Sequence, residues 1–396
     1  MTLSEELKWR GLIKDKTFAD VKWLDKPQAF YLGIDASADS LQVGNLAILM
    51  LVKHLAAAGW TAYLVMGGGT SLVGDPGGKN EERNLMSRET VKSNIEGVRG
   101  QVTKLLRGEK YTMVDNYDWL SRLKYVDFLR EVGKHFSMTE LMQRDFVVER
   151  MGKGGAGISY AEFSYSLVQG YDFWHLFQTH DIRMQIGGSD QWGNLISGVS
   201  LIRKKEAKEA HALSMPLIIN KATGVKFGKS EGGAVWLDPN KTSPHDFYQF
   251  WINVDDSSVG DYLKIFTELG KDEVAKVMTA FEKDKPNRFA QKTLAYEVTR
   301  LVHGEETAEH EKSLAVKQVF GATHIASPGD SVIDLLLETG LAISKTGARQ
   351  LLASGGIYIN DKSTNKQHLE VTDFVEDELK LRRGKTLQNS RIIKKK

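Results

Sequence analysis

The 396-residue chain carries 41% hydrophobic and 26% charged residues, an ordinary balance for a globular protein of two or three domains. Its net charge of only +2 leaves any contact with nucleic acid to local basic patches, and the absence of cysteine excludes disulfides, thiolate nucleophiles and cysteine-ligated zinc. No apolar run approaches a membrane span and MTLSEELKWRG reads as a charged amphipathic start, so a cytoplasmic protein is expected.

The first half alternates strand-like and helix-like segments. YLGIDAS (Tyr31 to Ser37) predicts a strand and turn, and NLAILMLVKHLAAAG (Asn45 to Gly59) a mostly buried helix closed by glycine. TAYLVMGGG (Thr61 to Gly69) is the next strand, running into a glycine-rich loop, and YTMVDN is another. YSLVQGYDFW predicts a helix with Tyr165, Gln169 and Asp172 at i, i+4 and i+7, on one face among Phe163, Leu167, Phe173 and Leu176. RMQIGG then reads as a strand with Gln185 near its end, SDQWGN as a turn into a helix, and LSMPLII as a further strand.

This βαβα pattern predicts an α/β fold over residues 1–237, a Rossmann-like doubly wound parallel sheet that binds its ligand beyond the strands' carboxyl ends. Residues 238–320 are patterned as an α-helical domain, with the charged stretch Glu305 to Ala326 expected to act as a tether. Residues 327–396 read as two short helices followed by short strands, a small α+β domain.

Four stretches carry chemistry. Taken alone, the Tyr165–Gln169–Asp172 stripe reads as a satisfied core network, since buried polar groups must find partners. The adjacent glycine turn shifts the reading toward a small-molecule pocket. GVKFGKSEGG (Gly224 to Gly233) falls one residue short of the GxxxxGK[ST] spacing and is followed by EGG where a helix should begin, so it is not a P-loop. It reads either as a solvated hairpin or as a glycine-hinged loop whose Lys226 and Lys229 clamp a polyphosphate. GGGTSLVGDPGGKNEERN (Gly67 to Asn84) brings Asp75, Lys79 and Arg83 behind a strand, and GIDASADSLQVGNL (Gly33 to Leu46) sets Ser37, Gln42 and Asn45 at a helix start, where phosphate is favoured. Each of these two stretches alone is compatible with an ordinary turn.

Together, in this order, they resemble the bacterial tyrosyl-tRNA synthetase family of class I aminoacyl-tRNA synthetases along nearly the whole chain. QVGN (Gln42 to Asn45) stands where the family carries its HIGH signature, KFGKS (Lys226 to Ser230) resembles the KMSKS loop, and GDPGGK, the YxxxQxxD helix and QIGGSDQWGN complete the set. The resemblance implies that Tyr31 and Asp172 bind the phenolic hydroxyl of tyrosine, that Tyr165, Gln169 and Asp75 hold its ammonium, and that Gln185 and Gln191 line the carboxylate region. It implies ATP contacts from Asp35, Ser37, Gly44, Gly188, Asp190 and Ser230, and pyrophosphate stabilisation by Gln42, Asn45, Lys79, Arg83, Lys226 and Lys229. Magnesium would travel with the ATP, no protein-held metal is expected, and a homodimer is implied.

LAISKTGARQLLASGGIYIND (Leu341 to Asp361) resembles the S-four-type RNA-binding domain common in this family, with Lys345 and Arg349 four apart on one helix face. Arg382 and Arg383 begin a terminal run without an acid after Glu378, which reads as a solvated tail or as a phosphate contact. The alternatives to a tyrosine–tRNA ligase are a degenerate synthetase kept as an RNA-binding protein and a synthetase of another specificity, above all tryptophan. The first is motivated by Gln42 alone, because the family usually has histidine there and glutamine cannot carry a positive charge. Gln42→His is therefore expected to raise the rate of amino-acid activation; an unchanged or lower rate would sink that reading.

Overall fold

The computed structural model describes residues 1–75, 86–152, 155, 157–219, 227–230, 233–320, 324–342, 345–384 and 390–396. The chain condenses into two compact units, Met1–Ala308 and Glu309–Lys396.

The first unit is built on five parallel strands in the order β3-β2-β1-β4-β5. They are β1 (Ala29–Ile34), β2 (Thr61–Met66), β3 (Tyr111–Asp115), β4 (Met184–Gly188) and β5 (His211–Met215), within four residues of the segments expected. Phe30, Leu32, Leu64, Met66, Met184 and Ile186 are all buried, as short apolar strands covered by helices on both faces require. The strand order reverses between β1 and β4, and register sets Tyr31 beside Gln185 there.

The helices before β4 are α1 (Leu3–Arg10), α2 (Val43–Ala57), α3 (Thr70–Val73), α4 (Arg88–Leu105), the short α5 (Tyr117–Leu120), α6 (Tyr125–Glu131), α7 (Met138–Met142) and α8 (Asp145–Met151), and the long α9 (Tyr160–His180). After β4 comes α10 (Trp192–Glu206). Helix α2 buries residues almost all round, as VGNLAILMLVKHLAA dictates. Ser159 caps α9 by accepting from the Glu162 N–H, and a buried ion pair, Arg150 to Glu162 at 3.0 Å, ties that cap to α8.

Helices α11 (Pro244–Ile252), α12 (Val259–Phe266), α13 (Lys271–Lys283) and α14 (Phe289–His303) follow a two-stranded hairpin, β6 (Lys229–Ser230) with β7 (Gly233–Ala234). They pack around Phe247, Tyr248, Trp251, Phe266 and Phe281. Arg10 of α1 donates to the carbonyls of Lys264, Thr267 and Leu269, placing a buried cation on the carboxyl end of α12.

The expected tether from Glu305 is instead helix α15 (Glu305–Phe320). EETAEHEKSLAVKQVF holds strong helix formers, no glycine or proline, and two glutamates in its first turn. In the second unit α16 (Val332–Glu338) and α17 (Lys345–Ala353) pack on a mixed sheet ordered β10-β9-β11-β12-β8. Its strands are β8 (His324–Ala326), β9 (Ile357–Ile359), β10 (Lys362–Thr364), β11 (Glu378–Arg383) and β12 (Ser390–Lys395). Leu336, Leu352, Ile357, Leu379 and Ile393 form its core. Strand β8 lies just ahead of the expected domain start at Ser327 and pairs with the last strand.

The face between α9 and α10 turns on Gly198, where an added Cβ would lie 2.6 Å from the Phe173 Cβ. Alanine favours helix, yet Gly198→Ala is expected to lower stability by about 1–3 kcal/mol through overpacking. Chemical denaturation of parent and variant measures the difference.

Candidate active site

A cavity of about 540 Å³ opens beyond the carboxyl ends of β1 and β4, where the sheet order reverses. Its lining includes Tyr31, Asp35, Ser37, Gln42, Gly44, Asn45, Asp75, Tyr165, Gln169, Asp172, Gln185, Gly188, Asp190 and Gln191. The sequence-predicted stripe Tyr165, Gln169 and Asp172 therefore faces a cavity rather than a filled core.

One end is shaped for a polar aromatic head. The Tyr31 ring packs against Phe173, and its buried hydroxyl has no hydrogen-bond partner among the described residues. Asp172, 3% exposed, accepts from the Trp119 indole N–H at 2.6 Å and from the Asn116 amide at 2.9 Å. Burial pushes the Asp172 carboxyl up to about 7; those two donors pull against it, and the charge of Asp35 adds to the rise. Burial, then the Asp172 charge, holds the Tyr31 hydroxyl well above its ordinary value. The Gln185 side-chain oxygen, on the strand beside Tyr31, is likewise buried without a partner among the described residues. Unmet buried groups around a cavity mark where a ligand's own polar groups complete the network.

Away from that end, the carboxylates are knitted together. Tyr165 donates to Asp35 at 2.8 Å, and Thr70 donates to the other Asp35 oxygen at 2.7 Å. Asn116 donates to Thr70 as well as to Asp172, and its side-chain oxygen accepts from the Gly69 N–H. Asp75 accepts from Gln191, Gln191 from Asn194, and Asn194 from Ser166. Arg144 donates to Ser166 and to Ser197. Burial lowers its guanidinium to about 10. Asn116, Trp119, Thr70 and Asn194 were not among the expected site residues. Asn116 had a signal in the sequence, since it closes the predicted strand YTMVDN, at the carboxyl end where such sheets bind ligands.

The opposite end is the loop from β1 into α2. Gln42 caps α2, its N–H donating to the Asn45 side chain at 3.0 Å. Leu41 and Val43 pair with the backbone of Leu237 and Val235. Gly228, at φ +101°, passes so close to Gly44 that a Cβ there would lie 3.2 Å from the Gly44 nitrogen. Phe227 sits in an aromatic cluster with Tyr262, Phe250, Trp251 and Phe266, ring centroids 4.5–5.5 Å away. The neck of the KFGKS hairpin is thus plugged into the helices and pressed on the start of α2. Lys79, Arg83 and Lys226 lie outside the described residues, as do the side chains of Lys229 and Ser230, whose backbone forms β6.

The sequence model of class I tRNA synthetases (W and Y) matches residues 24–320. The chain is 42% identical to a tyrosine–tRNA ligase of Streptococcus mutans over 97% of its own length and 98% of that protein, and 40% identical to one of Lactococcus lactis over the same shares. The chain belongs to the class I tRNA-synthetase family. Among solved structures, the truncated mitochondrial tyrosyl-tRNA synthetase of Aspergillus nidulans superposes with a TM-score of 0.71 at 30% identity, over 81% of this chain and 94% of that one. A tryptophanyl-tRNA synthetase of Plasmodium falciparum shares the fold at 13% identity and a TM-score of 0.56, over 79% of this chain and 86% of that one. The fold alone therefore does not choose between the two amino acids; the pocket must.

In the second unit of this synthetase, Arg349 is exposed, and Lys345 pairs with Asp334 at 3.1 Å on the surface. Arg382 lies over the Tyr358 ring and pairs with Asp361, while Arg383 reaches the Leu341 carbonyl.

Proposed function

We infer that this synthetase activates L-tyrosine with ATP and transfers the tyrosyl group to the 3′-terminal ribose of tRNA(Tyr). The observation that carries the choice of tyrosine is the buried, unpartnered Tyr31 hydroxyl in one cavity with the Asp172 carboxylate. A phenol uses both: it accepts from Tyr31 and donates to Asp172. Phenylalanine would leave the Tyr31 hydroxyl unmet and give Asp172 no donor beyond Trp119 and Asn116, which is costly in a desolvated pocket. An indole N–H could serve the carboxylate but offers no acceptor to Tyr31.

The chemistry then needs position and charge rather than a protein nucleophile. The tyrosine carboxylate attacks the α-phosphorus of ATP; the bond from that phosphorus to the bridging oxygen breaks, and pyrophosphate leaves with its charge. A ribose hydroxyl of the tRNA next attacks the tyrosyl carbonyl, and AMP departs. Tyr165, Gln169 and Asp75 would hold the substrate ammonium, with Gln185 and Gln191 beside its carboxylate. Asp35, Gly188 and Asp190 would contact the nucleoside. Ser37, Gln42, Gly44, Asn45, Lys79, Arg83, Lys226, Lys229 and Ser230 would meet the phosphates. Magnesium would enter as part of the nucleotide, held by phosphate oxygens.

Residues 238–320 are proposed as the anticodon-side domain and 327–396 as an RNA-binding domain that meets phosphates through Lys345, Arg349, Arg382 and Arg383. A homodimer is proposed through α6 to α9. Tyr125, Val126, Met138, Val148, Met151 and Tyr160 are each more than half exposed on consecutive elements, an apolar surface suited to a second copy. No helix among the described residues is long and apolar enough to cross a membrane, and a cytoplasmic location is proposed.

Exchange of labelled pyrophosphate into ATP tests the central reading, with tyrosine, phenylalanine and tryptophan in parallel. Exchange dependent on tyrosine alone is expected; equal exchange with tryptophan, or none with any of the three from folded protein, would overturn it. Asp172 adds a pH signature. Its carboxyl is pushed up to about 7 and the anion accepts the phenolic proton more strongly than the acid does, so tyrosine affinity should rise from pH 6 toward pH 8 and then level off. For the fold the sign is opposite. The native state keeps a proton that the unfolded chain releases near 3.8, so this group's contribution to stability falls as pH rises from there to about 7. Titration calorimetry with tyrosine across pH 5.5–8.5 checks the binding arm, and a flat profile would remove Asp172 from the contact.

A further inference from the structure

The loop between β1 and α2 carries Asp35, Ser37 and Gln42, and it buries Ala36 and Leu41, but its backbone is also held by a neighbouring helix. On α4, Asn94, Gly97 and Gln101 fall at i, i+3 and i+7 and so share one face. Each addresses the backbone of that loop. The buried Asn94 amide donates to the Ala36 carbonyl at 2.9 Å. Gly97 approaches so closely that a Cβ there would sit 2.1 Å from the Asp39 carbonyl oxygen, so a side chain is excluded by main chain rather than by a movable group. The Gln101 side-chain oxygen accepts from the Leu41 N–H at 2.8 Å, and its amide donates to the Ser40 hydroxyl at 2.9 Å. Ser40 in turn donates to the Leu41 carbonyl, which also accepts from the Leu237 N–H behind the lysine hairpin. Gln42 is the next residue.

We propose that this face of α4 is the template for the phosphate-binding loop, and that Gln101 is a positioning residue for tyrosine activation. Gln101 lies one residue from the Gln42 backbone through Leu41, and it is not among the lining of the substrate cavity. Its removal therefore acts on the transition state through loop geometry and leaves tyrosine binding alone. A displacement of the order of 1 Å at a reacting phosphate costs up to about a hundredfold in rate. One lost clamp among several predicts less, about tenfold.

The inference rests on the synthetase reading, and the test separates the two. Parent, Gln101→Ala and Gln101→Glu are compared in tyrosine-dependent pyrophosphate exchange and in amide hydrogen exchange over residues 38–43. Gln101→Ala is expected to lose about tenfold in kcat, with the KM for tyrosine unchanged within about twofold, and to exchange the 38–43 amides faster. Gln101→Glu keeps the acceptor for the Leu41 N–H but removes the donor to Ser40, whose own hydrogen is already given to the Leu41 carbonyl, so it is expected to recover part of the rate. Parental kcat in Gln101→Ala, a matching loss of tyrosine affinity, or unchanged amide exchange would overturn the template. A parent with no tyrosine-dependent exchange would overturn the functional reading instead, and amide exchange would still decide whether α4 shapes the loop.

Discussion

Three carboxylates, Asp35, Asp75 and Asp172, are gathered at one edge of a parallel sheet, two of them nearly out of contact with solvent. Desolvated charge is tolerated only where donors surround it, and much of the remaining structure at this edge supplies them. Asn116 is the central donor. From the end of β3 it holds Asp172, reaches Thr70, and through Thr70 is linked to Asp35 and Tyr165. Asp172 at the aromatic end and Asp35 are therefore parts of one hydrogen-bonded body. Loss of a single member would strand a buried polar group rather than merely remove a contact.

The same arrangement explains why backbone, more than side chain, builds the phosphate end. Glycines 97 and 228 are where main chain meets something too close for a Cβ to sit easily. Helix α4 presses on the loop before α2, the backbone of Val235 and Leu237 after the lysine hairpin pairs with that loop, and Phe227 fastens the hairpin's neck into the aromatic cluster of the helices beyond. Among the described residues, the groups of the β1–α2 loop that would meet the phosphates, Ser37, Gln42 and Asn45, are thus carried on a segment held from more than one side. Electrostatic stabilisation of a transition state depends on this, because donors that must reorganise during the reaction lose their advantage.

Much of this was legible in the chain. Short apolar strands, a continuous apolar α2 and the i, i+4, i+7 stripe gave the parallel sheet and the stripe that faces the cavity, since period and burial are local properties of sequence. The α15 helix was misread as a tether because charge was weighed above propensity. Asn116, Trp119 and Gln101 escaped for a different reason. Each acts on a partner between 53 and 60 residues away, Asp172 or Leu41, and the pairing exists only after the sheet has brought β1, β3 and α9 together. No spacing within one segment encodes it.

Gln42 can be understood in those terms. Its N–H is taken by the Asn45 side chain, its carbonyl accepts from Asn45 and Leu46, and the residues on either side are paired to the backbone of Val235 and Leu237. The backbone at this position is determined almost completely before its side chain is chosen. An amide in place of an imidazole then loses the possibility of positive charge but keeps a neutral donor at a well-held origin on the cavity wall. A neutral donor is worth less than a charged one beside a leaving phosphate, but one that need not be reoriented retains most of its effect. The rigidity of the loop is what makes glutamine serviceable there, so the identity of residue 42 and the grip of α4 on the loop belong to one physical question.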